Sequence, residues 1–125
     1  HGFPPQSVTT YLFQAKETRL ASWFTQGERL TFVGHTHELS LVHWDGTKVE
    51  RRELFQGRIT LDELPCIVNA GSVGQPRDGN NNAKYLLWDT EQGVVEVRFV
   101  PYDIESTVAK IRERGFPDYY ATRLR

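Results

Sequence analysis

Two histidines, His35 and His37, lie one residue apart, and Gly34 separates them from the short apolar run Leu30–Val33. Imidazole nitrogens are common ligands of divalent metals, so this pair indicates metal binding. In an extended segment residues i and i+2 point to the same face, which predicts that both rings lie on one side at the end of a strand. Gly34, just before the pair, is expected to let the backbone turn sharply.

The residues around this pair predict an antiparallel-rich α+β fold, with a helix, a run of strands and a second helix. Asp45-Gly46 is a strong hairpin signal, and the mixed charges of residues 50–53 are typical of an edge strand. The predicted helices span residues 9–26 and 104–114, and the predicted strands span residues 30–33, 38–44, 47–54, 58–61, 66–69, 85–89 and 94–100.

The ends of the predicted helices carry recognisable signals. Gly27 and Gly115 are positioned to end the two helices, and either Asp103 or Ser106 is expected to cap the second one. The polar tail that runs to Arg125 is expected to fray.

Composition restricts the functions that the chain can have. Its 125 residues, 38% hydrophobic and 25% charged, suit one domain with a real core. The net charge of -1 argues against non-specific nucleic-acid binding, and no apolar stretch or signal-peptide pattern indicates a membrane partner. Cys66 is the single cysteine, so no internal disulfide can form and a reducing cytoplasm is the expected compartment.

The chain contains no methionine and begins at His1. A complete translation product normally starts with methionine. We therefore expect the 125 residues to be a piece of a longer protein.

A turn-rich loop, Asn69–Arg77, is the second candidate functional segment. Gly71 and Gly74 are expected to supply its backbone conformation. Asn69 and Ser72 are expected to support the histidines by hydrogen bonds. Arg77 can either reach a phosphate oxygen or form a surface salt bridge.

Taken in this order, Gly34-His35-Thr36-His37 and Asn69–Arg77 resemble the C-terminal half of calcineurin-like metallophosphoesterases, closest to the small bacterial and archaeal phosphodiesterase branch. The resemblance covers roughly residues 1–89. It implies that residues 1–125 are the C-terminal portion of one four-layer α/β/β/α sandwich domain. It also implies two divalent metal ions, manganese first with zinc, iron, nickel or cobalt as alternatives, and hydrolysis of a phosphodiester or phosphomonoester.

The resemblance assigns roles to particular histidines. His35 takes the place of a ligand to one metal, and His37 takes the place of a ligand to the other. His1, followed by Gly2, matches an isolated histidine of the family and would be a third ligand.

Other family motifs have no counterpart in these residues. Asp-x-His, Gly-Asp and Gly-Asn-His are missing, and no histidine follows Gly79-Asn80 at the required place. Two dications about 3.5–4 Å apart repel by about 18 kcal/mol at an effective dielectric of about 20, which neutral imidazoles do not offset. We therefore expect no catalytic residue on this chain, at most one weakly held metal, and no activity without the missing N-terminal half.

Two other classes of protein remain open. A cupin-like mononuclear site also uses His-x-His, but it needs a glutamate where Leu41 and Val42 stand. A non-catalytic interaction module would keep the fold and lose the chemistry. Bare core-facing strands would also favour a homo-oligomer.

Several other residues are expected to be structural. His43 should lie about 20 Å from His37 along the next strand, at a solvent or core edge. The stretch from Phe3-Pro4-Pro5 to Tyr11-Leu12-Phe13 could line the substrate cleft, but plain helix packing is the preferred interpretation. The remaining aromatics expected in the core or at an interface are Trp23, Trp44, Trp88, Phe32 and Phe99.

Overall fold

Two β-sheets form the centre of the molecule, as described by a computed structural model for residues 2, 10–26, 29–61 and 65–125. The strands are β1 Leu30–Val33, β2 Leu39–Trp44, β3 Val49–Glu53, β4 Gly57–Thr60, β5 Cys66–Ala70, β6 Ala83–Asp89 and β7 Val94–Val100. The helices are α1 Glu17–Gln26, α2 Ile104–Glu113 and α3 Asp118–Thr122, and a 3₁₀ turn covers Leu12–Gln14.

The first sheet has the strand order β1-β5-β2-β3, and the second has the order β4-β7-β6. The β1–β5 pair is parallel, whereas the other strand pairs are antiparallel. The predicted antiparallel-rich α+β class is therefore confirmed. The charged strand β3 lies at an edge of the first sheet, as its composition predicted.

The main core lies between the two sheets. Leu41 and Val68 from the first sheet pack with Val95 and Val97 from the second, and all four are almost fully buried. Side chains alternate along a strand, so the sequence neighbours of Leu41 and Val68 point away from the second sheet. One neighbour of each is apolar as well, so the first sheet has two apolar faces.

Helix α1 covers the outer face of the first sheet. Its buried residues Leu20, Trp23 and Phe24 pack against Val42 and Ile67, the neighbours of the inward-facing residues on β2 and β5. The spacing of the three helical residues places them on one face of the helix. The strands that carry the histidine loop are thus held from both sides.

The predicted β2–β3 hairpin is confirmed, and Asp45 shapes its turn. The Asp45 carboxylate accepts hydrogen bonds from the backbone N–H groups of Lys48 and Thr47 and from the Thr47 hydroxyl, each at 2.8 Å. These bonds, that from Lys48 first, lower the pKa of Asp45 to about 2. Gly46 takes the positive φ of 99° that the turn needs.

The first predicted helix is shorter than expected. Thr9 and Gly27 lie outside the described residues, and Ala15 has an extended backbone that separates the 3₁₀ turn from α1. A periodic spacing of apolar residues cannot show such a break, because the turn and the helix both present apolar residues to the same sheet.

The C-terminal end differs from the prediction of a fraying tail. It contains α3, whose Ala121 packs with Leu124 and with Val108 of α2 in a small buried cluster. These apolar residues fix the tail because they remove the apolar face of α2 from water. At the start of α2 the predicted cap is confirmed as Asp103, whose carboxylate accepts from the Ser106 N–H at 2.9 Å.

None of the helices in the described part of the chain has the length and apolar character needed to cross a membrane.

Candidate metal centre

His35 and His37 lie in the loop between β1 and β2, and both have a left-handed backbone, with φ of 82° and 64°. The expectation of an extended segment with alternating side chains is therefore wrong. Gly34 does not have a positive φ, so the histidines themselves make the turn. Left-handed non-glycine residues cost about 1–3 kcal/mol each and cluster at functional sites.

The ring of His37 is oriented by a backbone carbonyl. Its Nδ1 lies 2.7 Å from the carbonyl oxygen of Gln75. A carbonyl oxygen only accepts, so Nδ1 carries the proton, and in the neutral form of the ring the lone pair lies on Nε2. Metal-binding histidines commonly have this arrangement, in which a hydrogen bond at one ring nitrogen fixes the tautomer that ligates through the other.

The ring of His35 is held by aromatic stacking. It lies parallel to the ring of Tyr11, with centroids 3.6 Å apart and an interplanar angle of 5°, and the Phe13 ring is nearly parallel at 5.9 Å. Leu12 lies between these two residues in the sequence. Its buried side chain anchors the 3₁₀ turn to the cluster formed by α1 and the first sheet. Plain helix packing was thus the wrong interpretation for Tyr11 and Phe13, and no sequence spacing linked them to His35.

Asn69, at the end of β5, ties the histidine loop to the sheet. Its Nδ2 donates to the Thr36 hydroxyl at 2.8 Å and to the Gly34 carbonyl at 3.4 Å. Its Oδ1 accepts from the Gly71 N–H at 3.1 Å. Asn69 therefore contacts the residues around the two imidazoles rather than the rings.

Ser72 shapes the loop that presents the Gln75 carbonyl. The Ser72 hydroxyl accepts from the N–H groups of Gly74 at 3.2 Å and Gln75 at 3.0 Å. Pro76 follows and disfavours a helical conformation at Gln75. The Arg77 N–H donates to the His37 carbonyl at 3.1 Å, while the Arg77 side chain is exposed.

The two glycines of this loop differ. Gly71 has a φ of +73°, and a Cβ there would lie 3.3 Å from atoms of Leu39 and Lys84, so its predicted role is confirmed. Gly74 has no left-handed φ and open space around it, so the prediction for Gly74 is wrong.

A buried ion pair lies under the same loop and was missed by the sequence analysis. Lys84 on β6 is 2% exposed, and its ammonium donates to the Asp78 carboxylate at 2.8 Å. One signal was present in the sequence. Lys84 precedes Leu86 and Trp88 at alternate positions of β6, and these two pack against the core, so strand alternation places Lys84 on the apolar face.

The two histidines line a common cleft of about 570 Å³ between the ends of the sheets. Gly71, Ser72 and Lys84 line it from the other side. His43, in contrast, is buried in β2 at 7% exposure, with its Nε2 3.5 Å from a carboxylate oxygen of Glu50.

The described residues supply only part of a metal site. No group of three or more His, Cys, Asp or Glu side chains comes together among residues 2, 10–26, 29–61 and 65–125. His1, the predicted third ligand, lies outside these residues. Two imidazoles, one of them held at Nδ1 by a carbonyl, suit a divalent ion, but they bring no negative charge to offset the repulsion between two ions.

The fold matches that of a solved metallophosphoesterase. The chain is similar to the solved structure of a metallophosphoesterase from Sphaerobacter thermophilus, with a TM-score of 0.84 and 32% sequence identity over 99% of this chain. It is also 38% identical over 102 residues, 81% of this chain, to the uncharacterised protein MJ0912 of Methanocaldococcus jannaschii. The matched regions cover 53% of the solved chain and 40% of the archaeal protein. No model of a known protein family matches the sequence.

Proposed function

We propose that the chain is the C-terminal part of a calcineurin-like metallophosphoesterase, which hydrolyses phosphoesters when the N-terminal half completes the domain. The observation that carries this proposal is the hydrogen bond from His37 Nδ1 to the Gln75 carbonyl. It prepares Nε2 to bind a metal, in a strained loop beside a second histidine. The similarity to a solved metallophosphoesterase supports the same class.

In this proposal His37 ligates one divalent ion and His35 the other, and His1 is a third ligand. The ions, when bound, orient the phosphate, lower the pKa of water and stabilise developing negative charge. The Tyr11 ring restricts His35 to one plane by stacking, and the Gln75 carbonyl restricts His37. Both rings are then already ordered before a metal binds. Binding therefore costs less conformational entropy, which favours it.

The remaining groups of the site come from two places. The bridging carboxylate and the acid that protonates the leaving group belong to the N-terminal half. Arg77 is the candidate on this chain for a phosphate contact, since its backbone is fixed to His37 while its guanidinium is free to extend. The proposed metal is manganese, and the proposed substrate is a phosphodiester or a phosphomonoester.

The test uses the full-length gene product supplied with Mn²⁺. His35→Ala and His37→Ala should each lower hydrolysis of a generic aryl phosphodiester at least about 100-fold and reduce bound metal, because each removes a ligand. His43→Gln is the matched control, since His43 lies in the β2–β3 hairpin outside the cleft, and it should retain activity within a few fold.

Two results would contradict the proposal. Unchanged hydrolysis in both alanine variants would exclude the histidines as ligands. A folded wild-type protein with neither bound metal nor hydrolysis would favour the non-catalytic interaction module instead.

A further inference from the structure

Lys84 is a fully buried cation whose three ammonium protons all have acceptors within the chain. Its Nζ donates to the Asp78 carboxylate at 2.8 Å and to the carbonyls of Asn80 at 2.5 Å and Asn82 at 3.4 Å. It also lies 5.2 Å from the centre of the Phe99 ring, its partner on β7. A buried ion pair stabilises a protein less than apolar side chains of the same size commonly do. The presence of this pair therefore needs a reason other than stability.

The contacts of Lys84 hold both ends of one loop. Its backbone N–H donates to the Ser72 carbonyl at 2.9 Å at the start of the loop. Its ammonium binds Asp78, Asn80 and Asn82 at the end of the loop. The longest stretch between these anchor points is residues 73–77, which includes Gln75.

The same network reaches the histidine loop directly. The second carboxylate oxygen of Asp78 accepts from the N–H of Leu39, two residues after His37, at 3.2 Å. Between these anchors, the Gln75 carbonyl meets the His37 ring and the Arg77 N–H meets the His37 carbonyl. A shift of the loop would therefore move the group that sets the tautomer of His37.

We propose that Lys84 is a positioning residue for the metal site: its ion pair with Asp78 fixes the loop 72–82 so that the Gln75 carbonyl keeps His37 in the Nδ1–H tautomer. This proposal rests on the proposed role of His37 as a metal ligand. Lys84 acts through the loop and through Gln75, so it is not itself a catalytic residue.

The test is NMR of the metal-free full-length gene product with ¹⁵N-labelled histidine rings, with the His37 signals assigned by their loss in His37→Gln. The wild-type protein should show His37 as the Nδ1–H tautomer. Lys84→Met keeps the apolar stem and removes the charge, and it should give a mixture that contains the Nε2–H form. The same variant should bind Mn²⁺ about 10–100-fold more weakly, the range typical of lost support for a metal ligand.

Two further variants complete the design. Lys48→Met removes the charge of an exposed lysine that pairs with Glu50 at 2.7 Å, and it should leave both the tautomer and the Mn²⁺ affinity unchanged. Asp78→Asn keeps an oxygen for the Leu39 N–H but weakens the contact with Lys84. It should shift the tautomer in the same direction, and it replaces Lys84→Met if that variant does not fold.

The experiment distinguishes a failure of the proposed role of Lys84 from a failure of the proposed function. If Lys84→Met or Asp78→Asn is less stable yet keeps a pure Nδ1–H tautomer and wild-type Mn²⁺ affinity, Lys84 is only structural and the proposal is wrong. If wild-type protein binds no Mn²⁺, the proposed function fails, whereas the tautomer comparison still decides the role of Lys84.

Discussion

The Gln75 carbonyl oxygen lies 2.7 Å from Nδ1 of His37, although the two residues are 38 positions apart in the chain. This contact joins a strained loop after β1 to a loop after β5. Asn69 holds the first loop, and Ser72 and Lys84 hold the second. The ring of His37 is therefore oriented at the place where two loops from different strands meet.

The left-handed backbone of His37 predicts an unusual order of stability for two variants. His37→Gly and His37→Ala both remove the ring, but only alanine pays the left-handed penalty of about 1–2 kcal/mol. Glycine loses about 0.5–1 kcal/mol more backbone entropy on folding. The glycine variant should therefore be more stable by about 0.5–1 kcal/mol in chemical denaturation. The same two substitutions at His43, which lies in the regular strand β2, should show the reverse order of stability, with alanine more stable than glycine.

Substitutions at Gly71 and Gly79 separate the cost of backbone strain from the cost of side-chain crowding, because both residues have a φ of +73°. A Cβ at Gly79 meets nothing within 4 Å, whereas one at Gly71 lies 3.3 Å from Leu39 and Lys84 atoms. Gly79→Ala should lower the free energy of unfolding by about 0.5–1 kcal/mol. Gly71→Ala should cost about 1–3 kcal/mol more, because it overpacks the core. If urea unfolding shows the same decrease in the free energy of unfolding for both variants, Leu39 and Lys84 move aside without cost and the crowding argument is wrong.

The hydrogen bonds of Asp45 predict that the β2–β3 hairpin loses stability at acidic pH. Its pKa in the folded chain is lowered from 3.8 to about 2 by hydrogen bonds from Lys48 and Thr47. A lowered pKa means that its stabilising effect is complete above about pH 4 and is lost as the pH falls toward 2. Wild type should exceed Asp45→Asn in stability at pH 6, and the gap should close near pH 2. An NMR titration of the Asp45 carboxyl with a midpoint near 4 would contradict this.

The isolated 125-residue chain should bind at most one divalent ion, and weakly. The described residues offer two imidazoles in the cleft and no group of three acidic, thiol or imidazole ligands. Metal content after equilibrium dialysis against Mn²⁺ measures this directly, with His37→Ala as the control that should reduce it further. Two tightly held ions on this chain would show that neutral ligands suffice, against the Coulomb argument.

Much of the fold was predictable from local patterns. The Asp45-Gly46 signal predicted the β2–β3 hairpin, because that turn depends on residues that are neighbours in sequence. The break at Ala15 and the packed helix α3 were not predicted, since both depend on contacts with distant elements. Residue type and spacing indicated the histidine pair as a candidate site, but its backbone conformation was predicted wrongly.

The sequence by itself determined which residues could ligate a metal, where the strands run and which turns join them. These properties follow from residue chemistry and from periodicities that hold within a few positions. The tertiary structure alone decided which nitrogen of His37 is available, that Tyr11 stacks on His35, and that Lys84 is buried beneath the loop. The reason is that each of these depends on how the loops and sheets pack, as in the contact between His37 and Gln75, which are 38 positions apart in the chain. Only that packing brings such residues within hydrogen-bonding or stacking distance.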